Sequence, residues 1–154
     1  MTSEGTPAAK FRSREQQAAV GLLRTADAVK RHFTQVIEHH GITLQQYNVL
    51  RILRGAGTDG LPTLTVGERM IEQTPGVTRL VDRLEKKNLV VRVPCPRDRR
   101  RVYCRITPEG MALLGELDEP IDRADRQAVA ALRPSDLDSL IELLDRVRAP
   151  HAPA

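Results

Sequence analysis

One short stretch of the chain concentrates its positive charge. Between Gln73 and Thr107, ten arginine and lysine side chains stand against three carboxylates, which gives a net charge of about +7 at neutral pH. The whole 154-residue chain carries +4, so the remainder is slightly acidic. Basic charge confined to one segment is typical of a surface that meets a polyanion, and nucleic acid is the first candidate.

The first half of this segment predicts a short helix that follows another short helix. Thr74 and then Pro75 are the signature of an N-cap and a first helical position, and the helix is expected to run to Lys87. Its apolar residues, spaced by three and four, predict a buried face: Val77, Leu80, Val81 and Leu84. A capping box from Thr65 to Glu68 predicts the start of the preceding helix. The pair therefore predicts a helix-turn-helix, whose second helix enters the major groove of DNA.

The leading edge of this second helix has the residue types of a DNA contact. Four small or rigid residues keep it slim: Thr74, Pro75, Gly76 and Thr78. Backbone amides at a helix N-terminus favour phosphate. Arg79 can form a bidentate pair with guanine O6 and N7, and Arg83 is also left on the outer face.

The second half of the segment predicts a β-hairpin tipped with arginines. Residues 89–93 and 102–106 are strand material, and residues 97–101 form the loop between them. Guanidinium groups on such a tip suit the negative potential of a narrow minor groove. With this turn, Cys104 lies opposite Arg92 rather than Cys95, so an intrachain disulfide would need a shifted register.

Long helical patterns flank the basic segment. Residues 11–40 form the first, which Gly41 is expected to end in a left-handed conformation. At 1.5 Å per residue this rod spans roughly 40 Å, more than the ~30 Å of a small domain, so its apolar stripe needs a partner such as a second subunit. A second box, Thr43 to Gln46, opens the next helix. Beyond residue 107 another long helix, with a kink expected at Pro120, leads to a last one with its own apolar stripe: Leu137, Leu140, Ile141, Leu144 and Val147.

This order of elements resembles the MarR family of winged-helix regulators. Asp98-x-Arg100, five residues, and then Ile106-Thr107-Pro-Glu-Gly110 is similar to the family's D-x-R-x5-L-T-x-x-G pattern, with Ile in place of Leu. Residues 77–90 are similar to its recognition-helix stretch, with Asn88 where glycine is usual. Asparagine also tolerates a left-handed turn, so Asn88 is expected to end the helix in that conformation. The resemblance spans roughly residues 12–148.

The resemblance implies a mainly α (α+β) fold, a winged helix-turn-helix with long N- and C-terminal dimerisation helices and a two-stranded β wing. Residues 1–10 are expected to be a flexible tail, and residues 11–149 a single domain. Within it, residues 43–107 form the winged helix, and residues 11–41 and 107–148 form the dimerisation helices. The implied assembly is a homodimer.

The resemblance also implies how the dimer acts on double-stranded DNA. Recognition helices enter successive major grooves of a pseudo-palindromic operator, and wings enter the flanking minor grooves. Asp98 orients the wing arginine, and Arg100 is the minor-groove residue. A small anionic or aromatic effector enters between the dimer region and the winged helix, with three candidate lining residues: Arg24, His32 and Tyr47. The predicted DNA contacts are Thr74, Pro75, Gly76, Thr78, Arg79, Arg83, Asp98, Arg99 and Arg100.

Other classes of function have little support in the sequence. It contains no nucleophile elbow, P-loop or zinc-ligand spacing, so we expect neither an enzyme nor a cofactor or metal site. No apolar run or signal-like N-terminus points to a membrane, so a cytoplasmic protein is expected. The competing hypothesis is a winged helix that binds protein or RNA without sequence-specific DNA binding. The effector, the operator, the sign of regulation and any redox role of Cys95 and Cys104 stay open.

Overall fold

The computed structural model describes residues 10–72, 76–95 and 97–152 of the chain. In these residues the helices are α1 Arg14–Glu38, α2 Leu44–Ala56, α3 Thr63–Arg69, α4 Val77–Lys86, α5 Pro108–Ala128 and α6 Pro134–Arg148. The strands are β1 Leu61–Pro62, β2 Val90–Pro94 and β3 Val102–Ile106. A 3-10 turn, Ala149–His151, follows α6. The mainly α winged-helix fold is confirmed.

Several predicted helix ends are confirmed by their hydrogen bonds. The Thr43 hydroxyl accepts the amide of Gln46, whose side chain in turn accepts the Thr43 amide, so the box that opens α2 is complete. The Thr107 hydroxyl accepts the Gly110 amide at the start of α5. Gly41 after α1 has a φ of 78°. Asn88 after α4, with a φ of 60°, is also left-handed, as the sequence predicts.

Two predicted helix starts differ from the structure. α3 begins at Thr63 rather than Thr65, because Pro62 ends the pairing of β1 and takes the N-cap position with a φ of −56°. α4 begins at Val77, with Gly76 in the N-cap position, rather than at Pro75. The predicted cap at Thr74 and Pro75 lies outside the described residues.

The sheet has three strands, so the prediction of a two-stranded wing was incomplete. Its order is β1-β3-β2 with antiparallel pairing throughout. The added strand is β1, which forms one edge of the sheet and contains Pro62, a residue with no amide to donate. Gly60 allows β1 to approach, because it has a φ of 74° and a Cβ there would lie 2.1 Å from the carbonyl oxygen of Cys104. The predicted register is confirmed, since Arg92 pairs with Cys104.

The core lies in the winged helix and at its junction with α5. Fully buried side chains come from α2, α3, α4, β2, β3 and α5, and include Leu50, Leu53, Val66, Leu84, Val90, Cys104, Leu114 and Leu117. In contrast, Ile37 is the one buried residue of α1, and α6 has none. The apolar stripes of these two helices are therefore left open in a single chain.

Candidate nucleic-acid interface

Helix α4 presents the predicted outer face to solvent. Its four predicted inward residues are buried: Val77, Leu80, Val81 and Leu84. Thr78, Arg79 and Arg83 are exposed, and Gly76 at the helix start is half-buried. Within the described ranges no carboxylate forms an ion pair with Arg79 or Arg83. Two guanidinium groups four residues apart thus point outward from one helix face without a counter-charge.

The turn between β2 and β3 is shaped by Asp98. Its side-chain Oδ1 accepts the amide of Arg100 at 3.0 Å, and its carbonyl accepts the amide of Arg101 at 3.0 Å. The Cys95 amide closes the turn on the Arg101 carbonyl at 2.9 Å. Asp98 therefore acts on the backbone of the turn, which leaves the guanidinium groups of Arg99 and Arg100 at an exposed tip.

Arg92 is the residue of this site that sequence reasoning missed. Its guanidinium pairs with the carboxylate of Asp82 and donates to the carbonyl of Thr78 at 3.0 Å, while its amide donates to Glu85 at 3.1 Å. Strand alternation could have found it. Arg92 shares the parity of buried Val90, so its side chain points toward α4 and needs an acidic partner there.

Helix α4 is also held to α1 and α2. Before α4, the Ile71 amide donates to the Asn48 side chain at 2.9 Å, and Glu72 pairs with Lys30 of α1. After α4, the Lys87 ammonium donates to the Gly41 carbonyl at 2.7 Å. These contacts at both ends link the position of α4 to that of the long helix α1.

The two cysteines are free thiols, Cys95 directly after β2 and Cys104 within β3. They do not face each other across the hairpin, because Cys104 pairs with Arg92. Burial raises the pKa of the Cys104 thiol, whose sulfur lies 3.3 Å from the Thr63 hydroxyl. The Arg97 backbone amide lowers the pKa of the Cys95 thiol, because a hydrogen bond to the sulfur favours the thiolate. The pair does not form a disulfide in this structure.

The three predicted effector-lining residues lie on two helices, and their grouping around an effector cleft stays a prediction. Arg24 is exposed and His32 half-buried on α1, whereas Tyr47 is buried in α2, which raises the pKa of its phenol. An open cleft of about 520 Å³ lies elsewhere, between the end of α3 and the C-terminal turn, and its lining includes Met70 and Arg148.

Two further features of the described part of the chain bear on its class. No group of three or more histidine, cysteine, aspartate or glutamate side chains there could hold a metal ion. No helix in the same ranges is long and apolar enough to cross a membrane.

Comparison with known proteins gives matches over most of the chain. The MarR family model matches residues 42–102. A MarR transcription factor from Planctomyces limnophilus, known from its crystal structure, is 34% identical in sequence to this chain. The two structures superpose with a TM-score of 0.68 over 88% of this chain and 98% of the other. The homoprotocatechuate degradative operon repressor of Escherichia coli is 29% identical over 126 residues, which is 82% of this chain and 84% of the repressor. The PcaV transcriptional regulator from Streptomyces coelicolor, solved in complex with its natural ligand, is 26% identical, with a TM-score of 0.72 over 92% of this chain and 97% of PcaV.

The three-stranded sheet, the exposed arginines of α4 and the arginine-tipped hairpin define a winged helix-turn-helix DNA-binding protein. The chain belongs to the MarR family of transcriptional regulators.

Proposed function

We propose that a homodimer of this chain binds a pseudo-palindromic operator and represses transcription until a small molecule releases it. The observation that carries the proposal is the outward pair Arg79 and Arg83, which lacks counter-charges among the described residues and is joined through Arg92 to a hairpin tipped by Arg99 and Arg100. One rigid unit thus offers a helix to the major groove and guanidinium groups to the adjacent minor groove.

The helices outside the winged helix support the dimer. α1 is about 37 Å long, from its 25 residues, and α6 has 15 residues with none buried. Their exposed apolar side chains include Leu23 at 73% exposed, Ile141 at 54% and Val147 at 49%. An amphipathic helix that buries nothing in its own chain needs a partner, and a twofold axis lets α1 and α6 of two copies cover each other.

The dimer sets the spacing of the two recognition helices. Successive major grooves on one face of DNA lie ~34–36 Å apart. A ligand that favours a dimer with another spacing by a few kcal/mol releases the operator. The ligand-bound structure of PcaV supports a small-molecule effector, and the operon repressor of Escherichia coli supports repression. The effector class remains the one implied by resemblance, a small anionic or aromatic molecule.

In this proposal the protein acts by binding rather than by catalysis, and it acts in the cytoplasm, where the operator lies. Residues 43–107 serve as the DNA-binding part, and residues 11–41 and 107–148 as the dimer part. Nothing among the described residues specifically favours the alternative, a winged helix that binds protein or RNA.

The test is a fluorescence anisotropy titration with a duplex from upstream of the protein's own gene and a scrambled duplex as competitor. Arg79→Ala and Arg100→Ala should each weaken binding by about tenfold, since a good base or groove contact is worth ~1–3 kcal/mol. Arg123→Ala is the matched control, because Arg123 is an exposed arginine of α5, paired with Glu119, away from α4 and the wing. Weak binding that is equal on both duplexes and in all variants would favour the alternative.

A further inference from the structure

Arg92 lies between the two parts of the proposed DNA-binding site, helix α4 and the wing. It lies on β2, at the base of the wing, and its contacts on α4 are Thr78, Asp82 and Glu85. These three residues are spaced by four and three, so they form one stripe of α4 that faces the sheet. A single arginine therefore spans two turns of the recognition helix.

The contacts of Arg92 show that it is occupied within the protein. Its side chain is 24% exposed, and both terminal nitrogens are engaged, one by the carboxylate of Asp82 and the other by the carbonyl of Thr78. The same Asp82-bound nitrogen lies 3.9 Å from a Glu85 oxygen. By contrast, Arg79 and Arg83 on the neighbouring stripe of α4 are exposed. Arg92 is therefore not free to meet phosphate.

The fork of bonds fixes an angle as well as a distance. A guanidinium group is planar, and two nitrogens of the Arg92 guanidinium donate to α4. Together with the bond from the Arg92 backbone amide to Glu85, these bonds restrict rotation of β2 against α4. The wing turn follows β2 directly, so the direction of β2 sets where Arg99 and Arg100 lie relative to Arg79.

We propose that Arg92, with Asp82 as its principal partner, is a positioning residue for DNA binding: it holds the wing at the angle from which helix α4 and the wing tip reach adjacent grooves together. This inference rests on the proposed function and deepens it. Misplacing the wing by a small distance loses its minor-groove contacts while every DNA-contacting side chain remains present.

The sign of one substitution separates this role from simple electrostatics. Asp82→Asn removes a negative charge from a surface that meets DNA, so charge alone would strengthen binding. Loss of the Asp82 carboxylate as the partner of Arg92 would instead weaken DNA binding. We expect Asp82→Asn and Arg92→Met each to weaken operator binding by about fivefold or more, in the range of coupling between contacting residues. Arg92→Lys keeps the charge without the planar fork and should stay weakened.

A double-mutant cycle locates the loss in the wing. When Arg100→Ala has already removed the wing contact, adding Arg92→Met should cost less than about twofold, because the two changes remove the same contact. Arg105→Met is the matched control. Arg105 belongs to the same sheet, and its side chain donates to the Asp59 carbonyl at 3.3 Å rather than to α4. The Arg105→Met variant loses the same charge as Arg92→Met, but its wing should keep the wild-type position.

A second readout needs no DNA. Native-state trypsin cleavage after Arg97 to Arg101 reports how firmly the wing is held, and each product is identified by mass. Arg92→Met and Asp82→Asn should raise this rate several-fold at a temperature where circular dichroism shows both variants folded, and Arg123→Ala should not. If Arg92→Met does not fold, Asp82→Asn and Arg92→Lys carry the test.

The outcomes separate this inference from the proposed function. Wing cleavage unchanged by Asp82→Asn and Arg92→Lys would overturn the positioning role whether or not the wild type binds an operator. Tighter operator binding by Asp82→Asn would also overturn it. Faster wing cleavage together with a wild type that shows no operator preference would support the positioning contact and reject the proposed function.

Discussion

A charged substitution on α6 tests the dimer most severely. Ile141 belongs to the apolar stripe of a helix with no buried residue and is itself 54% exposed in the single chain. Covering the open half of an isoleucine side chain stabilises by about 1 kcal/mol, and a twofold interface contains the residue twice. Aspartate at this position loses both contributions and adds the cost of burying two carboxylates, several kcal/mol before any relaxation.

We therefore expect Ile141→Asp to weaken dimerisation by at least ~4 kcal/mol, about a thousandfold in the dimer dissociation constant. Sedimentation velocity over a range of concentrations measures this directly, and circular dichroism shows whether the monomer stays folded. Leu143→Asp is the matched control, because Leu143 is 52% exposed on the same helix but projects about 100° from the centre of the stripe. A folded Ile141→Asp variant that dimerises as tightly as the wild type would refute this placement of the interface.

Other predictions concern close contacts around the site. Gly110→Ala should lower the free energy of unfolding by about 2 kcal/mol, because its Cβ would lie 2.4 Å from the Leu89 carbonyl oxygen; urea unfolding measures this, and an unchanged midpoint would contradict the packing. Gly115→Ala in α5 is its control and should gain up to ~1 kcal/mol, since nothing lies within 4 Å and alanine favours helix. Arg54→Met, which breaks the bonds of 2.9 and 3.0 Å to Asp118, should cost only about 1 kcal/mol in the same assay, because both side chains are partly exposed; a loss above ~3 kcal/mol would show that water does not screen the pair.

The features that the sequence predicts well are those with strong local signals. Thr43 and Thr107 fix the starts of α2 and α5 through hydrogen bonds to residues three positions on, and Gly41 and Asn88 mark left-handed ends. The hairpin register follows from strand alternation and the position of the turn, so the pairing of Arg92 with Cys104 is confirmed.

The features that the sequence predicts poorly depend on distant partners. Thr65 and Glu68 have the form of a capping box, but the pairing of β1 with β3, some forty residues away, starts the helix earlier at Thr63. The bond from Arg92 to Asp82 joins a strand to a helix. Alternation along β2 turns Arg92 toward α4, but no spacing within either element identifies Asp82 as its partner. The grouping of Arg24, His32 and Tyr47 stays a prediction, because spacing along the chain does not define a cleft between elements.

In the proposed complex, the two recognition helices of one dimer read successive major grooves while the wings occupy the flanking minor grooves. Hydroxyl-radical footprinting on the duplex upstream of the gene tests it most directly. We expect two protected centres on one face of the DNA, one helical turn or ~34–36 Å apart, with outer protection that disappears in Arg100→Ala. Protection without a fixed spacing, or outer protection that persists in Arg100→Ala, would contradict it.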